Sequence, residues 1–263
     1  MLDLLSKKSY DVNDLKRIVS ILRAPGGCQW DGEQTHQSIR RNFLEEAYEV
    51  AEAIDENSTE HLKEELGDVL LQVVFHASIE EDAGRFDLND VADGICRKLI
   101  YRHPHVFGNV AVGSTDEILS NWEELKKAEK GQASQADAVD AVARSLPALW
   151  RAEKVQKKAA KVGFDWPDVK GAVDKLSEEL EEVHSAMSGD GDVAEELGDL
   201  LFAAVNTARF LDVDPEIALH AACDKFAARF RRVEEEVSRR GCAMEETSLE
   251  ELDAIWNAIK HTL

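Results

Sequence analysis

An acidic pattern occurs twice in this chain, in the same order and at nearly constant spacing. The first copy reads Leu44-Glu45-Glu46-Ala47-Tyr48-Glu49-Val50, then Glu64-Glu65-Leu66-Gly67-Asp68-Val69-Leu70. The second reads Ser177-Glu178-Glu179-Leu180-Glu181-Glu182-Val183, then Glu195-Glu196-Leu197-Gly198-Asp199-Leu200-Leu201. The echo continues downstream, where Lys98-x-x-x-Arg102 matches Lys225-x-x-x-Arg229 and Trp122 matches Trp256; upstream, Trp30 matches Trp166. Positions 46 and 179, 65 and 196, 98 and 225, 122 and 256 differ by 133, 131, 127 and 134. Preserved order with small drift is what changes in loop length leave behind after a duplication. With 53 acidic residues in 263, one such pattern is expected by chance; two in register are not. The chain must therefore fold as two related units.

Each unit reads as helical. Period-2 alternation is almost absent, and Gly and Pro fall between stretches of helical period. Leu15, Ile18, Val19 and Leu22 form one stripe over Asp11 to Arg23, stopped by Pro25-Gly26-Gly27. Further helices are expected from Gln37 to Asp55, from Ser58 to before Gly84, from an Asp87 cap to before Pro104, and from Ser114 through Leu125. In the second half the expected helices are Leu146–Val162, Asp168–Met187, Asp192–Leu211, Asp214–Pro215 onward to Gly241, and one opened by Ser248 that carries Trp256. The fold class is all-α, a tandem duplication of a four-to-five-helix unit. Residues 1–127 form the first repeat, 128–145 a linker rich in Ala, Gln, Asp and Ser, and 146–263 the second repeat.

Composition removes several functions. Lys and Arg number 31 against 53 Asp and Glu, a net charge of −22 that repels phosphate backbones and anionic lipid, so neither nucleic acid nor membrane is an expected partner. Cys28, Cys96, Cys223 and Cys242 form no Cys-x-x-Cys pair, which fits reduced thiols better than zinc or a disulfide framework. The N-terminal residues lack the pattern of a signal peptide, and no apolar run approaches the length of a bilayer span. A cytoplasmic protein is expected. Neither a Gly-x-x-x-x-Gly-Lys-Ser/Thr loop nor a Gly-x-Ser-x-Gly elbow is present.

The repeated acids suit a hard cation. Residues three or four apart share a helix face, so Glu45, Glu46 and Glu49 cluster on one helix, Glu65 and Asp68 on the next. If the two helices pack antiparallel, the carboxylates converge, and their repulsion is relieved by an ion such as Mg²⁺, which prefers oxygen ligands and keeps positions open for water and phosphate. Gly67 and Gly198 inside helices suggest close approach by another helix or a ligand, and the flanking Leu44, Val50, Leu66, Val69, Leu180, Val183, Leu197 and Leu200 suggest that the acids border a core-facing stripe. Lys98 with Arg102, and Lys225 with Arg229, lie at i and i+4 and suit phosphates; alternatively they are surface ion pairs. Trp122 and Trp256 are suited either to stacking on a base or to the core. Lys175 has no basic counterpart at Asn42, and reads as a phosphate contact or a salt-bridge partner of Glu179. Two other readings of the acids are a di-iron carboxylate bundle, which wants Glu-x-x-His twice and finds none beside these clusters, and a non-catalytic acidic helical adaptor.

Paired Glu-Glu-x-x-Glu and Glu-x-x-Asp helices resemble the MazG nucleoside triphosphate pyrophosphohydrolases of the all-α NTP pyrophosphatase superfamily. The resemblance covers nearly the whole chain. It extends to Gly27-Cys28-Gln29-Trp30-Asp31, where the family often has Pro at the position of Gln29, to Arg102-His103-Pro104-His105-Val106-Phe107, and to Val162-Gly163-Phe164-Asp165-Trp166. It implies hydrolysis of NTPs and dNTPs to the monophosphate and pyrophosphate with Mg²⁺, for which Mn²⁺ is a possible substitute. Implied metal ligands are Glu46, Glu49, Glu65 and Asp68 in the first repeat, and Glu179, Glu182, Glu196 and Asp199 in the second. Lys175, Lys225, Arg229 and Trp256 would contact the nucleotide, with Lys98, Arg102 and Trp122 as the first-repeat counterparts, and the protein would be a homodimer. A carboxylate, Glu45 or Glu178, is the candidate for orienting or deprotonating the attacking water. The lysine at 175 favours the second repeat as the active one.

Overall fold

The structure is a computed structural model that describes residues 2–129 and 134–260. Among these residues every regular element is helical, as the sequence predicts. The chain divides into two compact units, Met1–Lys126 and Lys127–Leu263.

In the first unit the helices are α1 (Leu2–Leu5), α2 (Val12–Arg23), α3 (Gln29–Glu33), α4 (Arg40–Asp55), α5 (Thr59–Asp82), α6 (Leu88–Arg102), α7 (Pro104–Phe107) and α8 (Thr115–Glu129), the last of which crosses the division between units. The caps explain the boundaries. Asp11 accepts from the backbone N–H of Asn13 and Asp14, while the Asp14 carboxylate accepts from the Asp11 N–H; Asp87 and Asp90 repeat this box at the start of α6. Ser58 caps α5 by accepting from the His61 N–H. A turn only three residues long, with Asn57 at φ 54°, reverses the chain between α4 and α5, so the two helices form an antiparallel hairpin. Helix α2 packs on α5, and Val19, Ile39, Val74 and Phe75 are buried between them with Leu15, Leu71 and Ile79 around. Val19 and Val74 are 1% exposed, so truncation of either to Ala costs both transfer energy and a cavity.

The second unit contains α9 (Gln135–Asp140), α10 (Ala148–Ala160), α11 (Val169–Met187), α12 (Val193–Phe210), α13 (Pro215–Arg239), a 3₁₀ turn (Met244–Glu246) and α14 (Leu249–Lys260). Helices α11 and α12 repeat the α4–α5 hairpin, and α10 takes the place of α2. Small residues let α11 and α12 approach closely: Ala172, Ala186 and Ala203 are buried, and the Thr207 hydroxyl donates to the Ala172 carbonyl. Asp214 caps α13 ahead of Pro215 and also accepts the Trp150 indole N–H at 2.9 Å, which ties α13 to α10. At the far end, Val233 and Val237 of α13 bury against Ile255 of α14.

Three expectations change. The stretch 128–145, expected as a linker, carries α9, capped by Ser134 and anchored by Ala138, which is 2% exposed; residues 130–133 lie outside the described residues. A Cβ built at Gly67 or at Gly198 meets nothing within 4 Å, so close helix approach is not the reason for either glycine. Leu44, Leu66, Leu180 and Leu197 are exposed, which leaves only half of the apolar stripe beside the acids turned inward.

Candidate functional site

Each hairpin gathers acids at its centre. In the first unit Glu46, Glu49 and Glu65 each place a carboxylate oxygen within 4.8 Å of the others; in the second unit Glu179, Glu196 and Asp199 do so. The two remaining predicted ligands lie beside these sets. Asp68 is close enough for its charge to raise the pKa of Glu46, and Glu182 is hydrogen-bonded to Glu179. The crowding is felt in protonation. Burial first, then the charge of Asp68, holds the Glu46 carboxyl above its ordinary value. Burial followed by the charge of Glu49 does the same to Glu65, and the hydrogen bond with Glu179 followed by burial does so to Glu182.

Glu179 is the most enclosed of these acids, 5% exposed. One oxygen lies 2.6 Å from the Lys175 ammonium, while Oε2 is buried with no hydrogen-bond partner. A buried carboxylate oxygen without a donor is costly, and a cation shared with Glu196 and Asp199 would satisfy it. The donor set, all carboxylate oxygen, suits a hard divalent ion.

The counter-charges differ between units. In the second, Lys175 bridges Glu178 and Glu179, which raises the lysine pKa well above its ordinary value. In the first, Asn42 stands at the matching position and the cation is His61, whose Nε2 lies 3.2 Å from Glu65 and whose Nδ1 lies 2.9 Å from Glu56. Glu56, then Glu65, raise the imidazole pKa. His61 is absent from the residues expected at the site, although it lies four positions before Glu65 and so shares its helix face. Glu45 and Glu178 are not brought into the converging sets. Glu45 is exposed and paired with Arg41 at 2.7 Å, and Glu178 is exposed on the Lys175 ammonium.

The basic pairs and tryptophans form stacks. The Arg102 guanidinium is buried over the Trp122 ring at 5.3 Å, with the Lys126 ammonium 4.7 Å from the same ring. Arg229 lies 5.9 Å from the Trp256 ring, which also meets Phe226 and packs beside Ile255. Trp256 is thus partly core and partly the support of an arginine. Lys98 and Lys225 are exposed, and among the described residues no ion pair joins Lys225 or Arg229 to the converging carboxylates. Apolar side chains remain uncovered nearby, Ile95, Leu99 and Ile100 on α6 and Ile217, Leu219, Phe226 and Phe230 on α13.

Comparison with known proteins matches this arrangement twice over. The MazG nucleotide pyrophosphohydrolase domain matches residues 34–107 and again 169–238, which contain the two acidic hairpins. A nucleoside triphosphate pyrophosphohydrolase of Escherichia coli strain K12 is 45% identical over 257 residues, covering 95% of this chain and 98% of that protein. The nucleoside triphosphate pyrophosphohydrolase/pyrophosphatase MazG of Thermotoga maritima is 45% identical over 247 residues, 94% of each. The uncharacterized protein YabN of Bacillus subtilis is 48% identical over 256 residues, 96% of this chain and 52% of that longer protein.

Proposed function

The chain belongs to the MazG nucleotide pyrophosphohydrolase family, and on that premise we propose that it hydrolyses ribo- and deoxynucleoside triphosphates to the monophosphate and pyrophosphate with the help of Mg²⁺, or Mn²⁺ in its place. It is a nucleoside triphosphate pyrophosphohydrolase, and the adaptor reading falls away. The observation that carries the metal requirement is the convergence of three carboxylates within 4.8 Å in each unit, with the buried Glu179 Oε2 lacking any donor.

Glu179, Glu182, Glu196 and Asp199 would hold the ion in the second unit, and Glu46, Glu49, Glu65 and Asp68 in the first. A divalent ion there supplies charge neutralisation for the triphosphate and lowers the pKa of a bound water. The protein's own groups do the rest. Lys225 and Arg229 lie one turn apart on α13 and take phosphate oxygens, stabilising the charge that grows on the departing pyrophosphate. Trp256 supports the Arg229 guanidinium from below. Lys175 fixes Glu179 and holds Glu178 next to the cluster, where Glu178 is the candidate to orient the attacking water towards the α-phosphorus. Lys98, Arg102, Trp122 and Glu45 are the counterparts in the first unit.

The uncovered apolar side chains on α6 and α13 favour a homodimer. None of the described helices is long and apolar enough to cross a membrane. The test is a panel of NTPs and dNTPs with Mg²⁺, scoring pyrophosphate against orthophosphate. The combined Glu65→Gln and Glu196→Gln variant should lose pyrophosphate release while keeping its helical circular dichroism; full activity in that variant would end the proposal.

A further inference from the structure

The first unit holds two histidines that the acidic clusters do not use. His36 sits in the segment between α3 and α4, and His76 on α5, eleven residues beyond Glu65. Their Nδ1 atoms lie 2.7 Å apart. The ring planes are 12° apart and the ring centroids 5.0 Å apart, a distance that exceeds the nitrogen separation by the two ring radii. The rings therefore meet edge to edge, in the geometry of a straight N–H···N bond.

On its other side the His36 ring meets Glu80, which is buried and held by Arg85 through Nε and Nη2. Arg85, then His36, hold the Glu80 pKa at about 2, so this carboxylate is ionised and accepts the His36 Nε2–H. His76 and Glu80 are four residues apart on one face of α5, and His36 spans the two.

This bridge ties the segment to α5. The Thr35 N–H donates to the Ser38 hydroxyl at 2.9 Å, the Ser38 hydroxyl to the Gln34 side-chain oxygen at 2.6 Å, and the Gln34 amide to the Trp30 carbonyl at 2.8 Å, so these groups serve the segment itself or α3. Among the described residues His36 alone makes a polar contact from residues 34–39 to α5, and the buried Ile39 adds an apolar one. Phe43, in the first turn of α4, rests against the His76 ring with centroids 5.9 Å apart.

A bond between two imidazole nitrogens counts protons, because it needs one N–H and one lone pair. With Nε2–H committed to Glu80, a neutral His36 accepts from the His76 Nδ1–H, and a charged His36 donates to the His76 Nδ1. The bond survives with no positive charge on the pair or with one. Two charges set N–H against N–H, and the like charges repel. Burial first, then the charge of His36, holds the His76 pKa below its ordinary 6.5. The unfolded chain takes the second proton at the ordinary value. The bond thus stabilises the first unit above that value, and the contribution is lost as pH falls below it.

The charged groups on the elements packed against α5 are engaged elsewhere. Lys16 of α2 pairs with Glu81 and Asp87, Arg23 of α2 with Asp82, Arg41 of α4 with Glu45, and Arg97 of α6 with Asp93. Glu80, with Arg85 behind it, is the ionic partner of the pair among the described residues. In the second unit Thr207 stands eleven residues beyond Glu196, as His76 does beyond Glu65. Its hydroxyl donates to the Ala172 and Ala203 carbonyls, a contact that does not titrate.

We propose that His36 and His76 form an acid-released latch, confined to the first unit, that holds the segment before α4 against α5 and lets it go when both rings are charged. Helix α4 carries Glu46 and Glu49, so release loosens the first acidic hairpin and leaves the second as it was. Hydrogen–deuterium exchange of the full-length protein, corrected for the intrinsic rate, tests the latch at about pH 7.5 and about pH 5, on either side of the ordinary histidine value. Amides of residues 34–43 are expected to lose about 10-fold in protection at the lower pH, while residues 168–176 keep theirs. His76→Asn puts a non-titrating amide in the place of Nδ1 and should abolish the difference. Unchanged protection at 34–43, equal loss in the two units, or the same loss in the variant overturns the latch. Should His76→Asn fail to fold, long-range ¹H–¹⁵N spectra of the unaltered protein decide. His76 nitrogens that titrate below the ordinary value support the latch, and titration at or above that value overturns it.

Discussion

Replacing Glu179 by Gln should reverse its effect on stability according to whether a divalent ion is supplied. The side chain is 5% exposed, one oxygen is held 2.6 Å from Lys175, the other has no donor, and Glu196 and Asp199 each bring an oxygen within 4.8 Å. An unsatisfied buried charged acceptor costs on the order of 1–3 kcal/mol. Gln keeps the shape, still accepts from Lys175 through its amide oxygen, and turns one repelling oxygen into an N–H₂ donor for its acidic neighbours. In EDTA the variant is therefore expected to be more stable by about 1 kcal/mol, roughly 3–5 °C in the melting of a unit of this size. At a Mg²⁺ concentration of about 100 times its Kd the unaltered protein gains about 2.7 kcal/mol, and the variant most of that gain loses. Differential scanning calorimetry with and without Mg²⁺ reads both. If Glu179→Gln lowers the melting temperature in EDTA and Mg²⁺ shifts both proteins equally, the cluster is an ion pair built on Lys175 and the metal argument fails.

Other outcomes follow from the same geometry. Arg229→Ala should lower kcat/KM for NTPs by about 10- to 100-fold, the worth of a charge-assisted bond to phosphate, whereas Trp256→Phe, which keeps an aromatic support, should lower it much less; steady-state kinetics separate the two. Glu80 is held at a pKa of about 2 by Arg85 and then His36, below the ordinary 4.5, so its ionised form stabilises the first unit above about pH 4.5 and that contribution fades as pH falls towards 2. Arg85→Ala should accordingly move acid unfolding to higher pH in a circular dichroism titration, and an unmoved midpoint would show the pair to be without effect. Phe226→Glu, placing charge on the uncovered face of α13, should halve the mass measured by light scattering; a dimer that survives it would locate the interface elsewhere.

The long helices were legible because their starts are written in short-range chemistry. Asp87 and Asp214 accept backbone N–H groups as the expected caps, and Asp11, Ser58, Asp168 and Asp192 do so at the expected helix starts. Helices of four to six residues, α3, α7 and α9, show too little periodicity to be read, and α9 hides further because its buried residue is Ala138, too small to mark an apolar face. The acidic clusters were legible since i,i+3 and i,i+4 spacing survives any arrangement of the hairpin. Which acid stands aside was not. Asp68 in one unit and Glu182 in the other fall outside the tight trio, and that depends on the offset between paired helices. The exposure of Leu44 and Leu180 was equally hidden, because a leucine beside an acid reads the same whether it meets a core or solvent.

The two units solve one electrostatic problem with different parts, and the difference bears on what each can do. Both crowd three carboxylates, so both need cations, and both already carry one. In the second unit it is a lysine whose charge persists across physiological pH; in the first it is His61, whose charge depends on pH. A side-by-side comparison of Glu65→Gln and Glu196→Gln therefore asks more than which acids bind metal. If a cluster held by a permanently charged lysine is what commits a unit to catalysis, Glu196→Gln alone should remove pyrophosphate release, and Glu65→Gln should leave most of it. Equal losses from the two would mean that the first unit turns over nucleotides with a histidine at its cluster, and the link drawn between Lys175 and turnover would be wrong.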